Sequence, residues 1–145
     1  MKITKVDAIQ IEDKPADQPG WRPIVCRVYT DTGLYGDGEA AIAYGVGSTA
    51  AYGMIQDLAK LIIGMNPLDT EVIWEKLYKS TFWAQNGGPI VFAGISALDI
   101  ALWDIKAKYF SERGELHRQG ITEFKRGKRI PRTWRNKDKG NIEKL

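Results

Sequence analysis

Apolar and polar positions change their period along the chain, and the change predicts two kinds of structure in succession. From Lys2 to Ile11 the residues are β-prone with imperfect alternation, Ile3 and then Ile9 and Ile11, which predicts a strand. Glu12 to Gly20 follows, with Pro15, Pro19 and the acids Glu12, Asp13 and Asp17. Proline has no N–H for a central ladder, so this stretch reads as a long loop. Ile24, Cys26 and Val28 then alternate with Val25, Arg27 and Tyr29, and Asp31-Thr32-Gly33 makes a tight connection into Leu34–Glu39. Two more antiparallel strands are predicted there.

After Ala40–Gly47 the spacing becomes helical. Ala51, Met54, Ile55, Leu58 and Ile62 fall on one face, with Ser48 or Thr49 available to cap the start and Gly64 to close the end. Asp69 can cap a second helix carrying Ile73, Trp74, Leu77 and Tyr78 along one side, with Glu71 in its first turn and Lys76 and Lys79 toward its end. A break at Gln85-Asn86-Gly87-Gly88-Pro89 precedes the most informative segment, Ile90 to Phe110. At 100° per residue Val91, Ile95, Leu98, Leu102, Ile105 and Tyr109 line one face. Phe92, Ala93, Ile100, Trp103 and Ala107 line a second. A helix with two apolar faces needs two partners. The sheet and first helix supply one, so a partner beyond this sequence is implied. Leaving Phe92, Ile100 and Trp103 wet would forgo about 1.5–3 kcal/mol for each large side chain.

Strands first and helices afterwards make an α+β fold: a three-stranded antiparallel meander followed by a helical bundle. The 145 residues, 43% apolar and 27% charged, suit a globular domain and fall short of the roughly 250 of a (β/α)₈ barrel. The net charge of +3 is unevenly spread: residues 1–110 hold 10 Lys+Arg against 13 Asp+Glu, residues 111–145 hold 11 against 5. Apolar content and periodicity fall at the same border. The expected division is a folded domain over 1–110 and a basic, unstructured tail over 111–145. Cys26 is the only cysteine and no membrane-length apolar run or signal-peptide core is present, so a cytoplasmic, thiol-reduced protein is expected.

Candidate chemistry is sparse. Gly45-Val46-Gly47-Ser48-Thr49-Ala50 has the form G-x-G-x-x-A, but a dinucleotide site needs a parallel strand after the helix, and Gly64-Met65-Asn66-Pro67 leads into another helix. A loop entering a helix is the preferred reading. Lys106 and Lys108 are read as cations at a helix end, not as a catalytic pair. Asp37 and Glu39 point the same way from a strand and could share a metal, but no third ligand is near, so hairpin polar contacts are expected and no metal site is assigned. His117, the one histidine, leaves little for a histidine-based device. The tail segments Lys125–Arg129 and Arg132-Thr133-Trp134-Arg135 offer a second reading, a small polyanion- or nucleic-acid-binding module. Trp21-Arg22 joins an aromatic anchor to a cation suited to a carboxylate, and Tyr44 has similar potential. Packing within the hairpin is the alternative for each. Trp83, Gln85 and Asn86 are read as packing and turn residues.

Three blocks carry a resemblance: Lys2-Ile3-Thr4-Lys5-Val6, Asp31-Thr32-Gly33-Leu34-Tyr35-Gly36-Asp37-Gly38-Glu39-Ala40, and Ile95-Ser96-Ala97-Leu98-Asp99-Ile100-Ala101-Leu102-Trp103-Asp104-Ile105-Lys106. In that order and spacing they resemble the N-terminal capping domain of the mandelate racemase and muconate lactonizing enzyme group of the enolase superfamily. Gly87-Gly88-Pro89-Ile90 is similar to the acid-sugar dehydratases there, notably galactonate dehydratase-like members. The resemblance implies a cap over a barrel that supplies Mg²⁺ ligands and bases, abstraction of a proton α to a carboxylate, and, in dehydratases, loss of water. It also implies an acid-sugar carboxylate substrate and frequent homo-oligomers, with no membrane or nucleic-acid partner. None of the barrel residues is in this sequence, so no catalytic residue or cofactor is assigned to it and no turnover is expected from it alone. The Asp13–Arg22 and Ala40–Gly47 loops match the two loops that close over the substrate's far end, which makes Trp21, Arg22 and Tyr44 the substrate-binding candidates. Beyond Phe110 the resemblance stops at unrelated basic sequence, an abruptness expected of a frameshift or a premature fusion. An interaction protein docking on a separately encoded barrel is a third expectation.

Overall fold

The computed structural model describes residues 1–11 and 20–125, with side chains as far as residue 111. Met1–Lys108 form one compact unit. Its sheet is built from β1 (Ile3–Gln10), β2 (Ile24–Thr30) and β3 (Tyr35–Ala40), antiparallel in the order β1-β2-β3. Ile24, Cys26 and Val28 are fully buried while Val25, Arg27 and Tyr29 are half-buried, the alternation that fixes which face of β2 meets the helices. Thr30 closes the β2–β3 turn, its hydroxyl donating to the Leu34 carbonyl at 2.8 Å.

α1 (Ser48–Ile62) and α2 (Thr70–Ser80) follow. Ala51, Ile55, Leu58 and Ile62 of the predicted α1 stripe are buried and Met54 is half-buried; on α2 Ile73 and Leu77 are buried, while Trp74 is 41% exposed and stacks on half-buried Tyr78. Gly64 at φ 85°, just past the Ile63 C-cap, closes α1 as expected, but the N-capping expectations are corrected. Gly47 holds the N-cap of α1 at φ 110° with no side-chain cap bond, and Ser48 is already helical and buried. A left-handed turn there sends the loop straight into the helix, and only glycine enters that region without a Cβ penalty. Asp69 does occupy the N-cap of α2, but its carboxylate accepts from the Asn66 side-chain amide at 3.2 Å instead of capping. A short 3-10 helix, Phe82–Asn86, takes in Gln85 and Asn86 of the expected break, and Gly87-Gly88 remain as the break before the next helix.

α3 spans Pro89–Lys125, so the helix continues past the Phe110/Ser111 border where the apolar period ends. Glu112, Arg113, Glu115, Leu116, Arg118 and Gln119 are good helix formers and hold helical backbone without an apolar stripe. Residues 126–145, with most of the expected polyanion-binding segments, lie outside the described residues. One consequence is a correction for Lys106 and Lys108. They are not at a helix end, so the dipole does not account for them.

Val91, Ile95, Leu98, Leu102 and Ile105 are buried, as their face predicted, and Ala93, Ala97 and Ala101 join them. Of the second face, Ala93 is buried and Phe92 meets the Tyr78 ring at 6.4 Å, while Ile100 and Trp103 remain 47% and 51% exposed, so that face is covered only in part among the described residues. The first face is seated by glycine. A Cβ on Gly36 would stand 2.0 Å from the Ala101 carbonyl oxygen, and one on Gly38 2.0 Å from that of Ala97. β3 therefore lies directly on the backbone of α3.

Candidate functional site

The two loops singled out by sequence meet. Arg22 N–H donates to the Ala43 carbonyl at 2.6 Å and Gly45 N–H to the Gly20 carbonyl at 3.0 Å, an antiparallel bridge pairing Trp21 with Tyr44. Both bonds flank the pair instead of joining it, so Trp21 and Tyr44 form the non-hydrogen-bonded kind of pair, whose side chains stand close together on one side of the ribbon. Each is open, Trp21 at 56% and Tyr44 at 69%. Two rings from segments more than twenty residues apart thus share one solvent-facing patch.

Arg22 follows Trp21 and, by strand alternation, points the other way. It is only 4% exposed, and its Nη1 reaches the Gly45 carbonyl at 3.5 Å. The structure places the expected cation under the bridge, where it ties the 20–22 segment to the 43–45 segment. Of the three candidates, two face solvent together and the third supports them. The Asp13–Pro19 part of the first loop lies outside the described residues. Gly45 at φ 74° and Gly47 at φ 110° carry the chain from Tyr44 into α1, leaving Val46 exposed. The G-x-G-x-x-A match is this loop, and the sheet beside it has no parallel strand.

Asp37 and Glu39 do not form a metal pair. Arg27 faces Asp37 across β2 and β3 and grips both carboxylate oxygens, Nε at 2.6 Å and Nη2 at 2.9 Å, while its guanidinium lies 4.3 Å from the Tyr35 ring centre. Asp37 raises the Arg27 pKa above its usual value through that side-chain bond. Lys106 stacks on the Trp103 ring at 4.7 Å. Lys108 binds Asp104 at 2.7 Å and the Tyr35 carbonyl at 2.9 Å. Partial burial pushes the Asp104 carboxyl up, but the bonds from Lys108 and from the Asp37 N–H outweigh it and the net shift is downward. Cys26 is buried, and burial, with Asp37 and Asp7 nearby, pushes its thiol to about 12. Gln85 donates to the Lys79 carbonyl at 3.3 Å, the turn role expected, whereas Trp83, expected to pack, is 70% exposed and meets the equally open Phe82 ring edge-on at 5.3 Å.

Among the described residues no three His, Cys, Asp or Glu side chains converge on a point that could hold a metal. The Asp37/Glu39 pair does not suit a magnesium ion, because Arg27 already engages both oxygens of Asp37; the magnesium ligands that the resemblance implies belong to a barrel outside this sequence. No helix of the described residues is long and apolar enough to cross a membrane. Sequence reasoning missed the seat of α3 on Gly36 and Gly38. A signal was present, since glycines two apart in a strand share one face and Ala97 and Ala101, four apart in a helix, share another.

Residues 21–112 match a family described as mandelate racemase / muconate lactonizing enzyme, N-terminal domain. The chain is 39% identical over 90 residues to the D-mannonate dehydratase of Novosphingobium aromaticivorans, covering 62% of this chain and 22% of that protein. It is 34% identical over 108 residues to the D-galactonate dehydratase of Pectobacterium atrosepticum, covering 74% of this chain and 25% of that protein. Its structure superimposes on an enolase-superfamily member from Salmonella Typhimurium with a TM-score of 0.69 and 50% identity, over 75% of this chain and 27% of that one. The chain spans about a quarter or less of the length of these curated relatives.

Proposed function

The chain belongs to the mandelate racemase / muconate lactonizing enzyme N-terminal domain family, and from that premise we propose that it is the substrate-capping domain of a Mg²⁺-dependent acid-sugar dehydratase- or racemase-type enzyme, without turnover of its own. The observation that carries the reading is the Trp21–Tyr44 bridge. It sets two exposed rings, one with a hydroxyl, side by side on the loops that the resemblance assigns to the far end of the substrate. Aromatic faces suit the C–H surfaces of a polyhydroxy acid and the Tyr44 hydroxyl can exchange hydrogen bonds with its hydroxyls. Buried Arg22 acts by holding the bridge. The names of the relatives, one a D-mannonate and one a D-galactonate dehydratase, support the acid-sugar class and leave the individual sugar open.

Chemistry in this reading is supplied by residues outside the sequence. A cap needs a face for the remainder of the enzyme, and the exposed Ile100–Trp103 side of α3 is the one proposed for it. Division at about residue 110 is part of the same proposal, since the resemblance and the apolar period both stop there. The test is an assay of the purified chain with Mg²⁺ and a panel of aldonic and aldaric acids. No dehydration and no α-proton exchange are expected; either one above a matched blank overturns the cap-only reading.

A further inference from the structure

β3 is the last strand of its sheet, and such an edge offers unpaired backbone groups to any other strand. The ladder phase shows which groups these are. Thr30 N–H donates to the Leu34 carbonyl at 3.0 Å, and the register pairs Val28 with Gly36 and Cys26 with Gly38. Bonded pairs alternate with unbonded ones in an antiparallel ladder. Gly36, Gly38 and Ala40 therefore bond to β2, while Tyr35, Asp37 and Glu39 turn their backbone N–H and C=O groups outward.

Two of these outward groups are taken by α3. Asp37 N–H donates to Asp104 Oδ2 at 3.0 Å, and the Tyr35 carbonyl accepts from Lys108 Nζ at 2.9 Å. Asp104 and Lys108 are one helical turn apart and bonded to each other at 2.7 Å. Tyr35 C=O and Asp37 N–H flank Gly36 and are the two groups that a single residue of an added parallel strand would engage, with its own N–H and C=O. The ammonium supplies the donor and the carboxylate the acceptor. We infer that the Asp104–Lys108 pair stands in for a strand residue and closes the free edge of β3, and that the partner this edge takes when the pair is removed is β3 of a second copy of the chain. The seat on Gly36 and Gly38 brings the α3 backbone close enough for both side chains to reach the edge. Two identical edges pair by a two-fold, antiparallel contact, which needs the Asp37 N–H that Asp104 holds.

Amide hydrogen exchange on the full wild-type chain gives the first test. Asp37 and Glu39 amides both point outward, and Asp37 alone of the two has a partner in Asp104. Asp37 should exchange on the order of ten- to a hundredfold more slowly than Glu39 after sequence correction, the size of one hydrogen bond to a charged group. Equal rates would overturn the inference without any variant being made. The second test compares the full chain carrying Asp104→Ala and Lys108→Met with wild type. Expected are fast exchange at Asp37 in dilute solution and, as concentration rises, protection that returns at Asp37 and first arises at Glu39. An Asp37 amide that stays slow, or protection that is independent of concentration, counts against it. Asp104→Asn keeps an acceptor for Asp37 N–H and should leave that amide slow.

Discussion

A Cβ placed on Gly38 would stand 2.0 Å from the carbonyl oxygen of Ala97, and the obstacle is backbone on both sides. No rotamer can relieve it, so Gly38→Ala must lift β3 from α3. Overpacking in cores costs about 1–3 kcal/mol, and a rigid backbone clash belongs at or beyond the upper end. Gly53, in α1, meets nothing within 4 Å. Gly53→Ala should stabilise by about 0.5–1 kcal/mol through helix propensity alone. Urea midpoints of the two variants should move in opposite directions; a shift of the same sign in both would refute the seating described.

Asp104 and Asp99 should respond oppositely to acid. Asp104 has a folded pKa below its usual value, so its contribution to stability is present above the unfolded carboxylate pKa of about 3.9 and disappears as pH falls through the lower folded value. Asp99 is raised by burial and then by Glu71. Its ionised form costs stability at neutral pH, and the cost vanishes below the unfolded pKa. Against wild type, Asp104→Asn should lose stability at pH 7 and converge at acid pH. Asp99→Asn should gain at pH 7 and likewise converge. Stability measured from pH 7 down to about 2 decides both signs.

Cys26 packs between Ala8 and Gly38 on the neighbouring strands, with its thiol pushed up to about 12. The native chain should resist a thiol reagent at pH 8 and react fully once unfolded in urea, because reactivity follows the accessible thiolate. Rapid native labelling would mean that the sheet opens on its own.

Trp21 and Tyr44 should be dispensable for folding, and Arg22 should not be. The first two are open to solvent and Arg22 is buried beneath their bridge. Trp21→Ala and Tyr44→Ala should each change stability by about 0.5 kcal/mol or less, and Arg22→Ala should cost about 1–3 kcal/mol. In a chimera with residues 1–110 replacing the matching domain of the D-mannonate dehydratase relative, the two aromatic variants should raise KM about tenfold with kcat little changed, the pattern of lost uniform binding worth about 1.4 kcal/mol. Unchanged KM in both would remove these rings from the capping role.

Much of the fold was legible because it rests on period. Ile24, Cys26 and Val28 read as an inward row, Ala51 to Ile62 as a stripe, and Val91 to Ile105 as a face, and all but half-buried Met54 are buried where the alternation or the 3.6-residue spacing put them. The exposed pair Ile100 and Trp103 was legible for the same reason. Capping was less so. Ser48 and Thr49 had the right chemistry, but Gly47 had the backbone freedom, and local propensity does not say which of these prevails. Trp21 and Tyr44 could be named as candidates from residue type and resemblance, while their pairing depends on two hydrogen bonds between segments with no shared pattern.

By itself, then, the order of residues determined the succession of strands and helices, the inward face of each, and the family, since these follow from spacing along one chain. Tertiary structure decided what depends on two segments meeting. It turned Arg22 inward and Trp21 outward, gave Asp37 to Arg27 instead of to a metal, and sent Asp104 and Lys108 to the edge of β3. Close backbone approach at Gly36 and Gly38 makes the last of these possible, and such an approach exists only once strand and helix have been brought together.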